Sequence, residues 1–505
     1  MGYAMVRSVA LHGIGGDLVS VEADITPGLP SLVVSGLPDM ALNESRDRVR
    51  AAIHNIGERW PQQRITINLL PAHVPKHGSG FDLAVAVALL AADGRLPLDL
   101  LHDTVLIGEL GLDGTLRPIR GVLPAVVAAD RAGVGRAVVP IGNSAEACLV
   151  PGITVWPAES LGQLIGFLHR TMRLGDPPAP TPTPPRPGPD LADVVGQERG
   201  RRAIELAAAG GHHLALFGPP GAGKTMLAER LPGVLPGLDD DRALETTALH
   251  SLAGMLPVGG SLVRRPPFQA PHHSASVAAL VGGGSGLPQP GAISLAHNGV
   301  LFLDECAEFS PSALNALRQP LEEGSVRLRR AAGEMSYPAR AQLVLAANPC
   351  PCAKPAGDRH CECTPLARRR YQNRISGPLM DRVDLQVDLA PVTAAALLAD
   401  TMSEQSETVA ARVLEARASA AGRWVASSAR TNASVPSAVL RRDPFRLPGA
   451  VLRPATRAVE RGTLSARGFD RVLRVAWTIS DLAGRTVPTI GDLAEAIQLR
   501  TRRVS

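Results

Sequence analysis

Lysine is almost absent. Three lysines, at positions 76, 224 and 354, stand in a chain of 505 residues whose Lys and Arg total 52, so arginine carries nearly all the positive charge. Codon usage accounts for most of such a bias, but it makes each remaining lysine informative. Also missing is any run of about 18 uncharged apolar residues, which argues against a membrane span. The opening stretch Met1–Ser20 has neither the apolar segment nor the cleavage pattern of a secretory signal. There are only six cysteines, and four of them crowd into Cys350–Cys363, unlike the framework of a secreted disulfide-bonded protein. No repeat with a period of about 20–50 residues recurs. These absences point to a soluble, cytoplasmic protein with no membrane partner. Hydrophobic residues, at 45%, supply real cores and exclude global disorder.

The net charge is only +5, and it is unevenly placed. Residues 401–505 hold 17 arginines, no lysine and nine acidic residues. A basic C-terminal region suits a polyanion partner, and equally suits solvated helix faces in an arginine-rich chain. Asp176–Asp190 contains eight prolines, which remove backbone donors and fix φ, so an extended linker is predicted there. The residues predict an α/β multidomain chain. An α+β domain covers 1–172 and a proline-rich linker 173–190. A core with a parallel sheet covers 191–390, and a C-terminal helical region 391–505. Strand-like runs at Leu18–Ile25, Leu32–Ser35 and Arg64–Leu69 alternate with helical Asp82–Ala92 and Pro124–Ala132. Further on, His213–Phe217, Val300–Asp304 and Gln342–Ala346 read as strands, and Gly462–Ala483 and Thr489–Arg500 as helices.

The first of those later strands runs into Gly218, Pro219, Pro220, Gly221, Ala222, Gly223, Lys224 and Thr225, a complete G-x-x-x-x-G-K-[ST] pattern. Glycines at 218, 221 and 223 let backbone amides converge on phosphate oxygens. Lys224 offers a point charge to the β- and γ-phosphates, and Thr225 a hydroxyl to Mg²⁺. The cofactors read from this loop are ATP and Mg²⁺. The apolar run Gly299–Leu303 then ends in Asp304, suited to Mg²⁺, and Glu305, suited to polarising the attacking water. A third strand ends at Asn348, placed to sense the γ-phosphate or to cap a turn before Pro349. Arg382, in Gly377–Asp384, could act on the nucleotide of a neighbouring subunit or pair with Asp381 or Asp384.

Cys350-x-Cys352 and Cys361-x-Cys363 could form a tetrahedral Zn²⁺ site, although C-x-C is tighter than the usual spacing. Reduced thiols shaping a loop and a redox disulfide are the alternatives. Cys306 reads as a core residue. His272 and His273 have no carboxylate or cysteine at ligand spacing beside them, so a structural or DNA-contacting loop is expected there.

With these residues in view, the chain resembles an AAA+ ATPase, starting from Asp193–Gln197. More closely it resembles the magnesium-chelatase-like branch and, within it, the YifB/ComM group. That resemblance rests on Pro267–Ser276 with Gly282–Gly284, on Ala347–Cys352 with Cys361–Pro365, and on Ser376–Arg382. The resemblance implies a hexameric ring with ATP between subunits and Arg382 as an arginine finger in trans. It implies Arg467 as the sensor arginine of the lid, with Arg474 as the alternative. It also implies an insertion around Phe268–Gly284 and a hairpin at Val326–Tyr337, both projecting toward the pore. On that hairpin Arg327, Arg329 and Arg330 would track DNA phosphates, or else lie solvated. The implied partner is branched or single-stranded DNA, and the implied activity is that of a branch-migration helicase aiding recombination or transformation. A chelatase-type or protein-remodelling ATPase is the alternative. Residues 1–172 resemble the Lon proteolytic domain through Pro75–Gly80, Ile107–Gly121 and Val138–Asn143. The Lon serine falls on Gly80, with Ser79 one place off, and its lysine near Ala125. Lys76 only flanks the motif, so proteolysis is not expected. Such a domain is left to bind DNA, order the ring or contact a partner.

Overall fold

A computed structural model of the chain describes residues 2–36, 40–177, 188–256, 260–284, 288–330, 333–354, 361–375, 377–393 and 403–501. Residues 178–187 of the predicted linker and Ser376 lie outside the described residues, as does the side chain of Arg330.

The N-terminal sheet is mixed. Its strands are β1 (Gly2–His12), β2 (Gly15–Thr26), β3 (Ser31–Ser35), β4 (Arg64–Leu70), β5 (Thr104–Leu106), β6 (Arg136–Pro140) and β7 (Thr154–Ala158), in the order β3-β4-β2-β1-β5-β6-β7. β2 is antiparallel to both β1 and β4, whereas β5, β6 and β7 run parallel to β1. Along β2, Val19, Val21, Ala23 and Ile25 are buried and the residues between them are not, the period of two that a strand with one covered face requires. Helix α1 spans Met40–Asn55 and α2 spans Asp82–Ala92. Ten of the eleven α2 residues are buried, as expected of a helix that is apolar all round. Asp82 opens that helix with no exposed side-chain surface. Arg48 of α1 clamps it, Nε to Oδ2 at 2.8 Å and Nη2 to Oδ1 at 3.2 Å. α3 (Val122–Arg131) covers the β1–β2 side.

The second sheet is wholly parallel: β8 (Leu214–Phe217), β9 (Phe268–Gln269), β10 (Val300–Leu303), β11 (Gln342–Ala347) and β12 (Leu385–Asp388), in the order β9-β10-β11-β8-β12. β8, β10 and β11 are buried along their whole length, so they read as continuous apolar runs rather than alternating ones. α4 (Glu198–Gly210), α5 (Lys224–Val234) and α6 (Asp240–Ala253) flank the sheet. Because β8 lies between β11 and β12, its carboxyl end opens onto the neighbouring strand tips, where parallel sheets hold ligands. The predicted hairpin is present, with Ser325–Arg330 paired antiparallel to Gly333–Pro338. The predicted insertion contains the short helix α7 (Val277–Val281).

The C-terminal region is helical, with α8 (Ser406–Arg423), α9 (Ala466–Leu482) and α10 (Ile490–Arg500) as its longest described members apart from Gly449–Glu460. α9 starts later than the predicted Gly462. Gly462 has φ +71°, and Ser465 caps the helix by accepting from the Gly468 amide at 3.1 Å. Trp424, Trp477 and Phe445 form an aromatic nucleus, with ring centroids 5.5 Å apart for the two tryptophans, in the same cluster as the buried faces of α4 and α5. Helices and sheet therefore share one core. No helix among the described residues is long and apolar enough to cross a membrane.

The N-terminal unit is packed against the parallel-sheet unit. Ala248 of α6 is buried among Val122 and Val126 of α3, and Ser251 donates to Glu146 at 2.6 Å. At the β1–β2 turn, Ile14 joins Leu249, Met335 and Tyr337. Gly13, with φ +74°, approaches so closely that a Cβ there would sit 2.1 Å from the Ser336 carbonyl oxygen.

Candidate functional site

The loop after β8 folds as its glycines dictate. Gly221 and Gly223 adopt φ of +77° and +82°, the left-handed region that other residues avoid. α5 begins at Lys224, so the unpaired amides of its first turn face the loop and favour an anion. Lys224 is buried. Its Nζ donates to the carbonyls of Gly218 (2.7 Å) and Pro219 (3.0 Å) and to Asn348 Oδ1 (3.0 Å). Burial lowers the ammonium below its usual range, while Asp304 and Glu305 pull it the other way.

The tips of β10 and β11 complete the site. β10 ends at Leu303, one residue before the prediction, so that Asp304 and Glu305 turn out of the strand. Asp304 Oδ2 accepts from Thr225 Oγ1 at 2.7 Å, and Oδ1 from the Glu305 amide at 2.8 Å. Glu305 has φ +49°, an uncommon setting for a non-glycine residue. His273 Nδ1 lies 3.3 Å from Glu305 Oε2. The histidine pair, with no carboxylate at ligand spacing in the sequence, thus meets one in space. Sequence spacing sees only chain neighbours, whereas the fold brings the insertion over the β10 tip.

Arg382 follows the short helix Gly377–Met380 and is buried. It pairs with Glu322 and donates to the Pro378 carbonyl at 2.6 Å, so neither Asp381 nor Asp384 is its partner. Asp384 instead ties the C-terminal helices to the sheet by accepting from His212 (3.1 Å) and from Arg471 of α9. Burial pushes the Asp384 carboxyl up, but the His212 bond and the nearby cations outweigh this and hold it well below the usual carboxylate range. Of the two lid arginines, Arg474 is committed to the Val435 carbonyl and Ser437, at 3.0 and 3.2 Å. Arg467 is exposed at the start of α9 and makes no side-chain bond among the described residues.

The basic C-terminal region is less available than its charge suggests. Arg412, Arg423, Arg430, Arg441, Arg471 and Arg485 pair with acidic residues, while Arg417 and Arg500 cap main-chain carbonyls. Among the described residues, Arg442, Arg446, Arg453, Arg457, Arg461 and Arg467 are the exposed remainder.

The four clustered cysteines converge. Their sulfurs all lie within 4.8 Å of one another; Cys350 and Cys352 are 3.2 Å apart, and Cys352 and Cys361 3.5 Å. None is in a disulfide. Hydrogen bonds from Cys350 and its neighbours draw the Cys352 thiol down to about 6. Cys306 is buried and pushed up to about 12 by its burial, as fits a core thiol.

In the N-terminal unit, Lys76 is fully buried, donating to the carbonyls of Leu69 at 3.0 Å and of Pro71. Ser79 donates to Glu109 instead. Ala125, where the Lon lysine falls, is buried in α3.

A phosphate loop between parallel strands, with an amide on the adjacent strand tip and acids on the tip one strand further along, defines a P-loop ATPase with a helical C-terminal region. The comparisons refine the class. Residues 190–397 match the family described as magnesium chelatase, subunit ChlI; residues 403–500 match its C-terminal part, and residues 21–143 the subunit ChlI family. The chain is 55% identical over 500 residues to an uncharacterized protein of Mycobacterium tuberculosis, covering 99% of each. It is 41% identical over 510 residues to the uncharacterized protein YifB of Escherichia coli, covering 99% of this chain and 97% of the relative. With competence protein ComM of Haemophilus influenzae the identity is 39% over 510 residues, 99% and 98% being covered. The chain belongs to the magnesium-chelatase-like AAA+ ATPases, in the YifB/ComM family. A stretch of 166 residues, 32% of the chain, is also 32% identical to Lon protease 1 of Sorangium cellulosum, 20% of which is covered.

Proposed function

We propose that this protein is a cytoplasmic, ATP-hydrolysing ring motor that moves branched or single-stranded DNA, six subunits sharing ATP at their interfaces. The domain layout proposed is 1–172, 173–190, 191–390 and 391–505. The observation that carries the reading is one hydrogen-bonded set: Lys224 with Asn348, and Thr225 with Asp304. Each member is a group that nucleotide phosphate or its metal recruits.

In this role Lys224 exchanges the Asn348 oxygen for phosphate oxygens. The Thr225 and Asp304 oxygens, 2.7 Å apart, fit as the pair that would hold Mg²⁺, which supplies charge opposite the phosphates. Glu305 takes the proton of the attacking water, and Asn348 orients that water against the γ-phosphate. Arg382 reaches the neighbouring subunit's nucleotide after exchanging Glu322 for phosphate, and Arg467, the uncommitted lid arginine, senses it. Exposed Arg327 and Arg329 on the hairpin, with the exposed lid arginines, support a DNA partner. The competence name of the Haemophilus relative supports a role in transformation, for which we propose branch migration as the activity. Tetrahedral Zn²⁺ with Zn–S of about 2.3 Å sets its sulfurs about 3.8 Å apart. The spacing of Cys350, Cys352, Cys361 and Cys363, within 4.8 Å, supports zinc there, bracing the segment between Asn348 and Arg382.

ATPase rates with and without four-way DNA, in the parent protein and Glu305→Gln, test the motor. DNA-stimulated turnover and branch movement are expected, both lost in the variant. Turnover indifferent to DNA, with four-way DNA left intact, would leave a remodelling or chelatase-type ATPase instead. Metal analysis should find one zinc per chain; less than one counts against that site.

A further inference from the structure

The hairpin from Ser325 to Pro338 has two unlike faces. Arg327 and Arg329 are exposed on one, while Val326, Met335 and Tyr337 are buried on the other. The register sets Val326 opposite Tyr337 and Leu328 opposite Met335, so the apolar face runs along both strands. A two-stranded ribbon is marginal in water by itself, and its stance depends on what backs that face. Two units back it here. Leu249 of α6 comes from the parallel-sheet unit, and Ile14 from the β1–β2 turn of the N-terminal unit. Tyr337 Oη also donates to the Pro288 carbonyl.

The turn that carries Ile14 is stiff. β1 and β2 pair without a break from Gly2 opposite Ile25 to His12 opposite Gly15, leaving a two-residue loop of Gly13 and Ile14. Gly13 has φ +74°, a setting that the first place of such a loop demands. His12 Nε2 lies 3.1 Å from Asp17 Oδ2 across the ribbon. Gly13 is also so near the hairpin that a Cβ would meet the Ser336 carbonyl oxygen at 2.1 Å. Val9 of β1, Val122 and Val126 of α3 and Ala248 of α6 share one core, so the ribbon is fixed to α6 at a second place. What the hairpin meets is therefore the end of a braced arm rather than a loop free to give.

We propose that the N-terminal unit is a strut for the hairpin, and that Ile14 is the positioning residue at its contact. With Ile14 seated against Met335 and Tyr337, the basic face of the hairpin is held in one stance toward DNA. Both ends of the hairpin lead to the nucleotide site. Glu322, just before it, pairs with Arg382, and its second strand runs through Ala339 into β11, which Asn348 follows. A held hairpin passes a load on Arg327 and Arg329 toward those groups, whereas a hairpin that tilts absorbs it. The strut rests on the contacts alone, and its consequence for DNA rests on the reading of the hairpin as DNA-tracking. Truncating a half-buried isoleucine to alanine shifts a local opening equilibrium by about five-fold, which sets the size of the expected effect.

The test uses the full chain and two readouts. In Ile14→Ala, hydrogen exchange at the hairpin amides should quicken about five-fold, while exchange at the P-loop stays at the parent rate. The four-way DNA concentration that half-saturates ATPase stimulation should rise about two- to five-fold, with basal kcat and KM for ATP unchanged. Ile14→Val, which keeps most of the contact, should return both readouts close to the parent values. Unchanged hairpin exchange in Ile14→Ala overturns the strut. So does basal turnover that falls in step with DNA-stimulated turnover, because Ile14 then serves the fold as a whole. A DNA response lost in Arg329→Ala yet unmoved in Ile14→Ala overturns the positioning role. Faster hairpin exchange in Ile14→Ala, with a DNA response unmoved in both variants, keeps the strut and removes the DNA reading of the hairpin.

Discussion

Lys76 and Lys224 are both buried, and both donate to main-chain carbonyls close by in sequence. Their surroundings separate them. Lys76 ends among the carbonyls of Leu69 and Pro71 inside the N-terminal unit, and burial alone lowers its ammonium below the usual range. Lys224 ends at a glycine loop, shares Asn348 with a neighbouring strand and feels Asp304 and Glu305 as compensating charges. A buried cation whose partners are all fixed carbonyls is a structural element. One whose partners are exchangeable and whose loop admits an anion is poised for chemistry.

The sharpest way to break this contrast is Lys224→Ala. ATP turnover should fall by ~10²-fold or more; turnover that survives would put Lys224 in the same class as Lys76. Next in size is Arg48→Ala, which strands the Asp82 carboxylate inside the N-terminal unit. Denaturant unfolding should register a loss of ~3 kcal/mol, with KM for ATP unmoved. Lys76→Ala should cost about 2 kcal/mol by orphaning two carbonyls, again without touching ATP binding. Its pH signature has a definite sign. The folded chain holds the Lys76 proton less tightly than the unfolded chain does, so stability should rise with pH up to the ordinary lysine value of 10.5. Lys76→Met should flatten that rise in thermal melts across the alkaline range. The smallest effect belongs to the hairpin. Arg329→Ala should reduce the salt dependence of DNA binding by about one charge, read from the slope of log affinity against log salt.

Much of the site was legible in the sequence because it is built from contiguous segments whose chemistry is local. Gly218–Thr225 is one loop, and Asp304 and Glu305 end one apolar strand. What escaped depends on side chains meeting across the fold. His273 meets Glu305, and Glu322 claims Arg382, with nothing in either local pattern to announce it. β12 carries no clear strand signal because Gln386 and Asp388 interrupt its apolar run. The lid arginines looked like a surface for DNA because charge counting cannot see that Asp384, Asp470, Asp481 and Asp492 receive several of them. The Cys350–Cys363 loop sits between these cases. Its composition suggested a metal, but only the fold brings two C-x-C pairs into one cluster.

The turn at Gly13 and Ile14 bears on how this protein can be dissected. A chain begun at the linker would leave Leu249, Met335 and Tyr337 without the cover that Ile14 provides and would bare the α6 face now hidden by α3. Such a fragment carries a new sticky patch beside its hairpin, so its clumping or sluggish turnover would report on that exposed patch and not on the motor.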